Sequence, residues 1–211
     1  MTEVKVYLGG EGANELGSRV GALAYQTGDK PGVVEALLRR VEPHGWSVIG
    51  AMPWRAIRKY RGKGPSPSEE RNVLGLVEMA NRADAAVVSF VRDSDNDTDR
   101  PKTIASAMQK AAEIFPRIAV IGGSAIPVLE AWMLAMQGEH GSEELRKAAA
   151  QAKLRAKGID KDTAKMTQVV SEADLDRLPE DAASLRAWIS KARNVLPPLV
   201  RKTAECTANS P

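Results

Sequence analysis

The chain has 211 residues, 43% hydrophobic and 27% charged, and its 30 Lys and Arg against 27 Asp and Glu give a formal charge of +3. That length makes one ordinary domain or two very small ones, and the balance excludes a wholly disordered chain. Four Trp, three Tyr and two Phe leave the core to Ala, Val, Leu, Ile and Met, which favours an α/β domain over a β-sandwich.

Met1 to Val6 alternates charged with β-branched residues and carries no apolar block, so no secretion signal is expected. Val4 to Gly10 reads as a strand ending in a glycine turn, followed by Leu16, Val20, Leu23 and Ala24 at helical spacing. Pro31 opens a second helix with Val34, Leu37, Leu38 and Val41 on one stripe, and Trp46 to Met52 forms the next strand. A loop carries Arg55, Arg58, Lys59, Arg61 and Lys63 with no acid between them, and Gly64 to Pro67 blocks regular structure. Ser68, Glu69 and Glu70 start a helix striped with Val73, Leu76, Val77 and Ala80.

Ala85 to Val91 is almost continuously apolar, as a strand covered on both faces of a parallel sheet should be, and it leads into the acidic run after Arg92. Pro101 starts a helix bearing Ile104, Ala107, Met108, Ala111 and Phe115. Arg117 to Gly122 is the fourth strand, Gly122 to Ser124 a turn, and Pro127 opens the helix of Val128, Leu129, Trp132, Met133 and Met136. Further helices are expected over Glu143 to Lys157, from a capping box at Ser171 to Asp174, and along Leu185, Trp188, Ile189 and Ala192, ending at Pro197 and Pro198.

The expected fold is therefore α/β: a three-layer sandwich around a mainly parallel sheet of about four strands, plus C-terminal helices. Residues 1–137 would form the α/β domain, 138–201 a helical extension packed on it, and 202–211 a flexible tail. Uncharged stretches reach only about a dozen residues, short of the roughly 20 that span a bilayer, so no membrane is expected. Cys206 stands alone, which excludes an internal disulfide or a cysteine-based zinc cluster and makes a reducing cytoplasm the expectation.

Functional residues in an open parallel sheet gather beyond the carboxyl ends of the strands. Glu11 and Glu15 follow the first strand, Asp93, Asp95 and Asp97 the third, and Glu130 sits on the helix after the fourth. Crowded carboxylates raise each other's pKa and call for a cation, and oxygen ligands without His or Cys suit Mg2+ or Mn2+. The bland alternative is solvated loop acids and helix caps. An EF-hand is excluded by Thr98 and Ile104 where its Gly and Glu belong, whereas an aspartyl-phosphate phosphatase on Asp93 stays open but leaves Glu11 unexplained.

Glu11-Gly12, Glu15, the Asp93-x-Asp95 pair after an apolar strand, and this order of elements resemble the Toprim fold of topoisomerases, primases and overcoming-lysogenization-defect nucleases. The basic loop, the run Asp93 to Asp97 and Ile126 to Ala135 further resemble small bacterial Toprim-like proteins related to anti-phage and abortive-infection nucleases. The resemblance covers roughly residues 3 to 137. It departs where Arg92 precedes the aspartates and where Gly9 and Gly10 precede Glu11.

The resemblance implies a nuclease that hydrolyses phosphodiesters with Mg2+ or Mn2+. Glu11, Asp93 and Asp95 would be catalytic, and these three with Asp97 and Glu130 would be the metal ligands. Arg55, Arg58, Lys59, Arg61 and Lys63 would contact the phosphate backbone of DNA or RNA, with Trp54 and Tyr60 either stacking on bases or anchoring the loop. The rivals are a binding subunit without turnover and the aspartyl-phosphate phosphatase. The C-terminal helices are equally suited to covering the sheet, forming a homo-oligomer or docking into a larger defence complex.

Overall fold

The structure is a computed structural model that describes residues 3–19, 30–62, 64–159 and 162–208. Val20, Leu23, Ala24 and Lys63 lie outside the described residues. Four parallel strands, β1 (Val4–Gly10), β2 (Trp46–Pro53), β3 (Val87–Asp93) and β4 (Ala119–Ala125), form one sheet in the order β2-β1-β3-β4. The chain is α/β, a three-layer sandwich with this all-parallel sheet at its centre.

Both faces of the sheet are buried, which explains the unbroken apolar run of β3. Val87 and Val91 turn to one face; Val88 and Phe90 turn to the other. The first face is covered by α2 (Val33–Val41), α5 (Leu129–Met136), α6 (Lys147–Ala156), α7 (Thr163–Glu172) and α8 (Ala183–Ala208), the second by α3 (Ser68–Arg82) and α4 (Arg100–Ile114). A short α1 (Ala13–Leu16) follows β1. From β1 the chain crosses to β2 by way of α2, then returns over the opposite face through α3 and α4 to β3 and β4. The direction of winding therefore reverses between β1 and β3.

β3 and β4 extend further than expected. Asp93 is the last residue of β3 rather than a loop residue, and Gly122 and Gly123 lie inside β4, where the Phe90 ring occupies the space a side chain on Gly122 would need. The helix expected from Glu143 begins only at Lys147, because the Glu143 carboxylate accepts the backbone N–H groups of Ser184 and Leu185 and so caps α8. The expected capping box at Ser171 to Asp174 is the end of α7, whose own cap is Asp162, accepting from the N–H groups of Ala164 and Lys165.

Pro197 and Pro198 do not end α8, which runs to Ala208 through the start of the expected tail. An interior proline costs about 3 kcal/mol, but Leu196, Leu199 and Val200 bury themselves against the first core on both sides of the pair. α8 is in fact part of a layer: Trp188 is buried, donates from Nε1 to the Phe90 carbonyl at 3.0 Å and packs against Trp132 at 6.2 Å between ring centroids. Among the described residues no helix is long and apolar enough to cross a membrane. Trp188→Ala should cost about 3–5 kcal/mol in urea unfolding, with a single transition for the whole chain; a loss under about 1 kcal/mol would make α8 an appendage.

Candidate functional site

In the order β2-β1-β3-β4 the carboxyl ends of β1 and β3 lie side by side where the winding reverses, the position at which open α/β sheets form a crevice. Gly9 is level with Phe90, so Glu11 comes level with Arg92. The Arg92 guanidinium donates to Glu11 Oε1, which also accepts the Asp93 N–H at 3.2 Å. Gly10 has no side chain because Glu15 packs on it: an added Cβ would lie 2.4 Å from Glu15 Cβ. Glu15 is thereby only 7% exposed, its Oε2 accepting the Gly12 N–H at 2.8 Å.

Asp93 is 8% exposed, and its Oδ1 accepts the Leu129 N–H at the start of α5 at 2.9 Å. Burial pushes its pKa up to about 7, helped by the charges of Glu15, Glu130 and Asp95 and opposed by the Leu129 N–H. Glu15 is also raised, chiefly by burial, with Glu130 adding to it and backbone hydrogen bonds resisting. Glu130 accepts from Gln151 Nε2 at 3.2 Å. Asp93 and Glu15 are thus two neighbouring carboxyls whose ionisation is opposed chiefly by burial, with the Glu130 charge adding to the effect on both.

Asp95 differs. Burial works against its charge, but Lys147 Nζ at 2.6 Å and Arg100 at 2.8 Å hold its pKa below the usual value. Asp95 and Asn96 adopt left-handed backbone angles, φ 53° and 63°, which Asp and Asn tolerate best and which cost energy outside glycine. The conformation is held by Asp95 N–H to the Pro127 carbonyl, Ser94 N–H to the Ala125 carbonyl, and Arg100 donating to the carbonyls of Asp93 and Ser94. Asp97 Oδ1 accepts the N–H groups of Asp99 and Arg100 and so serves as the cap of α4.

Arg92 and Arg100, with side chains 14% and 15% exposed, also meet Glu69 Oε1 at 3.2 Å each, and Glu69 Oε2 accepts from Trp54 Nε1 at 2.9 Å. Sequence reasoning passed over this cationic half. Arg92 and Arg100 were legible as the basic residues bracketing the acidic run; Lys147, fifty-two positions beyond Asp95, gave no local signal. Trp54 is an anchor, buried against Phe90.

Of the expected metal ligands, Glu11 and Asp95 are ion-paired and Asp97 caps a helix. The all-oxygen donors suit a hard ion in chemistry, but among the described residues no three His, Cys, Asp or Glu side chains are placed to hold one. As they stand, these residues do not fit Mg2+ or Mn2+. The expected substrate loop lies on α3: Ile57 is buried, the Tyr60 N–H donates to the Arg71 carbonyl, and Gly75 leaves room for the Arg58 carbonyl, 2.2 Å from where a Cβ would stand. Arg55, Arg58, Lys59 and Arg61 point outward, exposed.

Fold and site together define a doubly wound parallel α/β domain with a buried, charge-dense centre at its switch point. No protein-family model, curated protein or solved structure matches this chain.

Because the folded pKa of Asp93 lies above its unfolded value of 3.8, ionisation opposes folding. The penalty is absent below pH 3.8, grows as pH rises and is complete above about 7, at up to about 4 kcal/mol. Asp93→Asn, which keeps the acceptor for Leu129, should therefore be more stable than the parent in urea at pH 8.5, with the gain shrinking to about 1 kcal/mol at pH 4.5. A gain independent of pH would show that Asp93 is not the group that titrates.

Proposed function

We propose that the protein hydrolyses phosphodiester bonds, as a nuclease, at the centre between β1 and β3, with a role in bacterial defence as the resemblance to Toprim-like proteins suggests. The observation that carries the reading is the convergence on one switch point of the buried carboxyls Asp93 and Glu15 with Arg92, Arg100 and Lys147.

A phosphodiester needs three things: a group to take the proton of attacking water, positive charge for the oxygens that gain electrons, and a proton for the leaving oxygen. In this reading Asp93, with its pKa near 7, accepts the first proton. Arg92, Arg100 and Lys147 face the developing charge, and Glu15, kept protonated more readily than an exposed acid, supplies the last. Mg2+ or Mn2+ would add polarisation of the phosphodiester when bound. Entry of such an ion requires Glu11 or Asp95 to exchange its present cation, so no step is assigned to it.

The same ion pairs favour the second reading, a nucleic-acid or nucleotide binding subunit that leaves the chemistry to a partner. An aspartyl-phosphate phosphatase on Asp93 is less well supported, because it leaves Glu11 without a role.

The test is cleavage of mixed single- and double-stranded DNA and RNA, with and without Mn2+. Asp93→Ala should lower the rate by at least about 100-fold, and an Asp93→Ala protein that retains full cleavage would overturn the assignment. Binding without turnover in the parent selects the subunit. Calorimetric titration of Mn2+ into the parent and into an Asp93→Ala, Asp95→Ala double variant decides whether the ion takes part: heat lost in the variant places it at this centre.

A further inference from the structure

The proposed substrate is a polyanion, and the centre that would act on it repels one. Glu11, Glu15, Glu69, Asp93, Asp95, Asp97 and Glu130 outnumber Arg92, Arg100 and Lys147. A substrate that must approach such a centre needs to be held by positive charge elsewhere.

That charge lies on the other side of the first turn of α3. Consecutive helical residues point about 100° apart, and Glu69 turns to Arg92 and Arg100 while Glu70 turns to an open cleft of about 600 Å³ between the basic loop and the α3–α4 pair. Arg58, Lys59 and Arg61 from the loop, Arg71 from α3 and Lys110 from α4 line it. Glu70 is its one acid among the described residues, and that acid is taken by Lys110 at 2.7 Å. Arg58, Lys59, Arg61 and Arg71 are exposed and have no ion pair among the described residues.

The spacing of the loop sets this up. Trp54, Ile57 and Tyr60, every third residue, are turned inward, and the basic residues between them are left facing out. The cleft also has an apolar side, formed by Tyr60, Leu74 and Ile114. Ile114, 43% exposed, is the exposed large hydrophobic residue of the described chain. A cationic rim beside apolar and aromatic surface matches a strand whose bases are unpaired and accessible, since a duplex presents phosphates but keeps its base faces stacked.

We propose that this cleft is a binding site for single-stranded nucleic acid, separate from the carboxylate centre, in which Arg58, Lys59, Arg61 and Arg71 neutralise phosphates and the surface of Tyr60 and Ile114 receives bases. The proposal deepens the phosphodiester reading by naming where its substrate is held. It stands on the cleft alone, so binding and cleavage fail independently.

Fluorescence anisotropy with a short labelled oligothymidylate tests it on the full chain across a range of salt concentrations. Four phosphate contacts predict a slope of about 3 in log Kd against log salt concentration. In Arg58→Ala, Arg61→Ala, whose parent side chains are exposed and whose fold is checked by circular dichroism, the slope should fall to about half and affinity by at least about tenfold. Ile114→Ser should weaken binding with no change of slope. Asp93→Ala should bind like the parent, which separates this site from the catalytic assignment. An unchanged Kd and slope in the double variant overturns the proposal. So does a matched duplex binding more tightly than the single strand, or polyglutamate of equal charge competing as well as oligothymidylate, which would make the cleft a surface for acidic protein.

Discussion

The contact between Glu11 and Arg92 closes the seam on which the rest of the molecule depends. A parallel sheet buried on both faces has to send its crossovers to opposite sides, and here the change of side falls between β1 and β3. β3 ends in Asp93 and β1 is followed at once by Glu11, and the two strand ends are forced together by main-chain hydrogen bonding that takes no account of charge. Arg92 lies on β3 level with Glu11, so the same register that juxtaposes the carboxylates also delivers a cation to them. The pair is only partly buried, and Arg92 also meets Glu69 while Glu11 also accepts the Asp93 N–H, so the contact fixes geometry more than it adds stability.

Around that seam the acids divide by environment. Asp95 sits where Lys147 and Arg100 reach it and remains charged. Asp93, two residues earlier, lies under α5 beside Glu15, where burial raises its pKa to about 7. Two carboxyls with opposite tendencies, separated by one residue, are the raw material of acid and base roles at one site. The strained backbone at Asp95 and Asn96 contributes to the separation: it turns the chain sharply after Asp93, so that one aspartate enters the protein and the other leaves it.

How far the sequence discloses this depends on the range of the interactions involved. The strands and most helices are local, and hydrophobic period, proline starts and glycine turns located β1 to β4 and α2 to α5. The length of α8 was not legible, because the cue from Pro197 and Pro198 is local while the burial of Leu199 and Val200 that overrides it is tertiary. Caps behave in the same way: Ser171 looks like a cap from its neighbours, whereas Glu143 caps α8 from forty-one positions away. In the site, Glu11, Asp93, Asp95 and Glu130 were found through their places at strand ends. Crowded acids call for a cation without saying which, and only the folded chain supplies Arg92, Arg100 and Lys147 as side-chain cations in place of a metal.

The first turn of α3 ties the two charged regions together. Glu69 accepts from Trp54 and Arg92 and pairs ionically with Arg100, and so holds the start of the basic loop and the rim of the carboxylate centre in one network. Glu70, the next residue, holds Lys110 at the edge of the cationic cleft. Moving the helix by a turn would exchange neither partner cleanly, because each glutamate faces a different side. Gly75, further along the same helix, lets the loop backbone lie directly against it. The loop is therefore fixed at Trp54 to the acidic centre and at Arg58 and Tyr60 to α3, which sets its basic side chains at a constant offset from Asp93. A polyanion held in the cleft would be positioned by the same helix that positions Arg92 and Arg100, so that binding and chemistry share one rigid element while their charges stay apart.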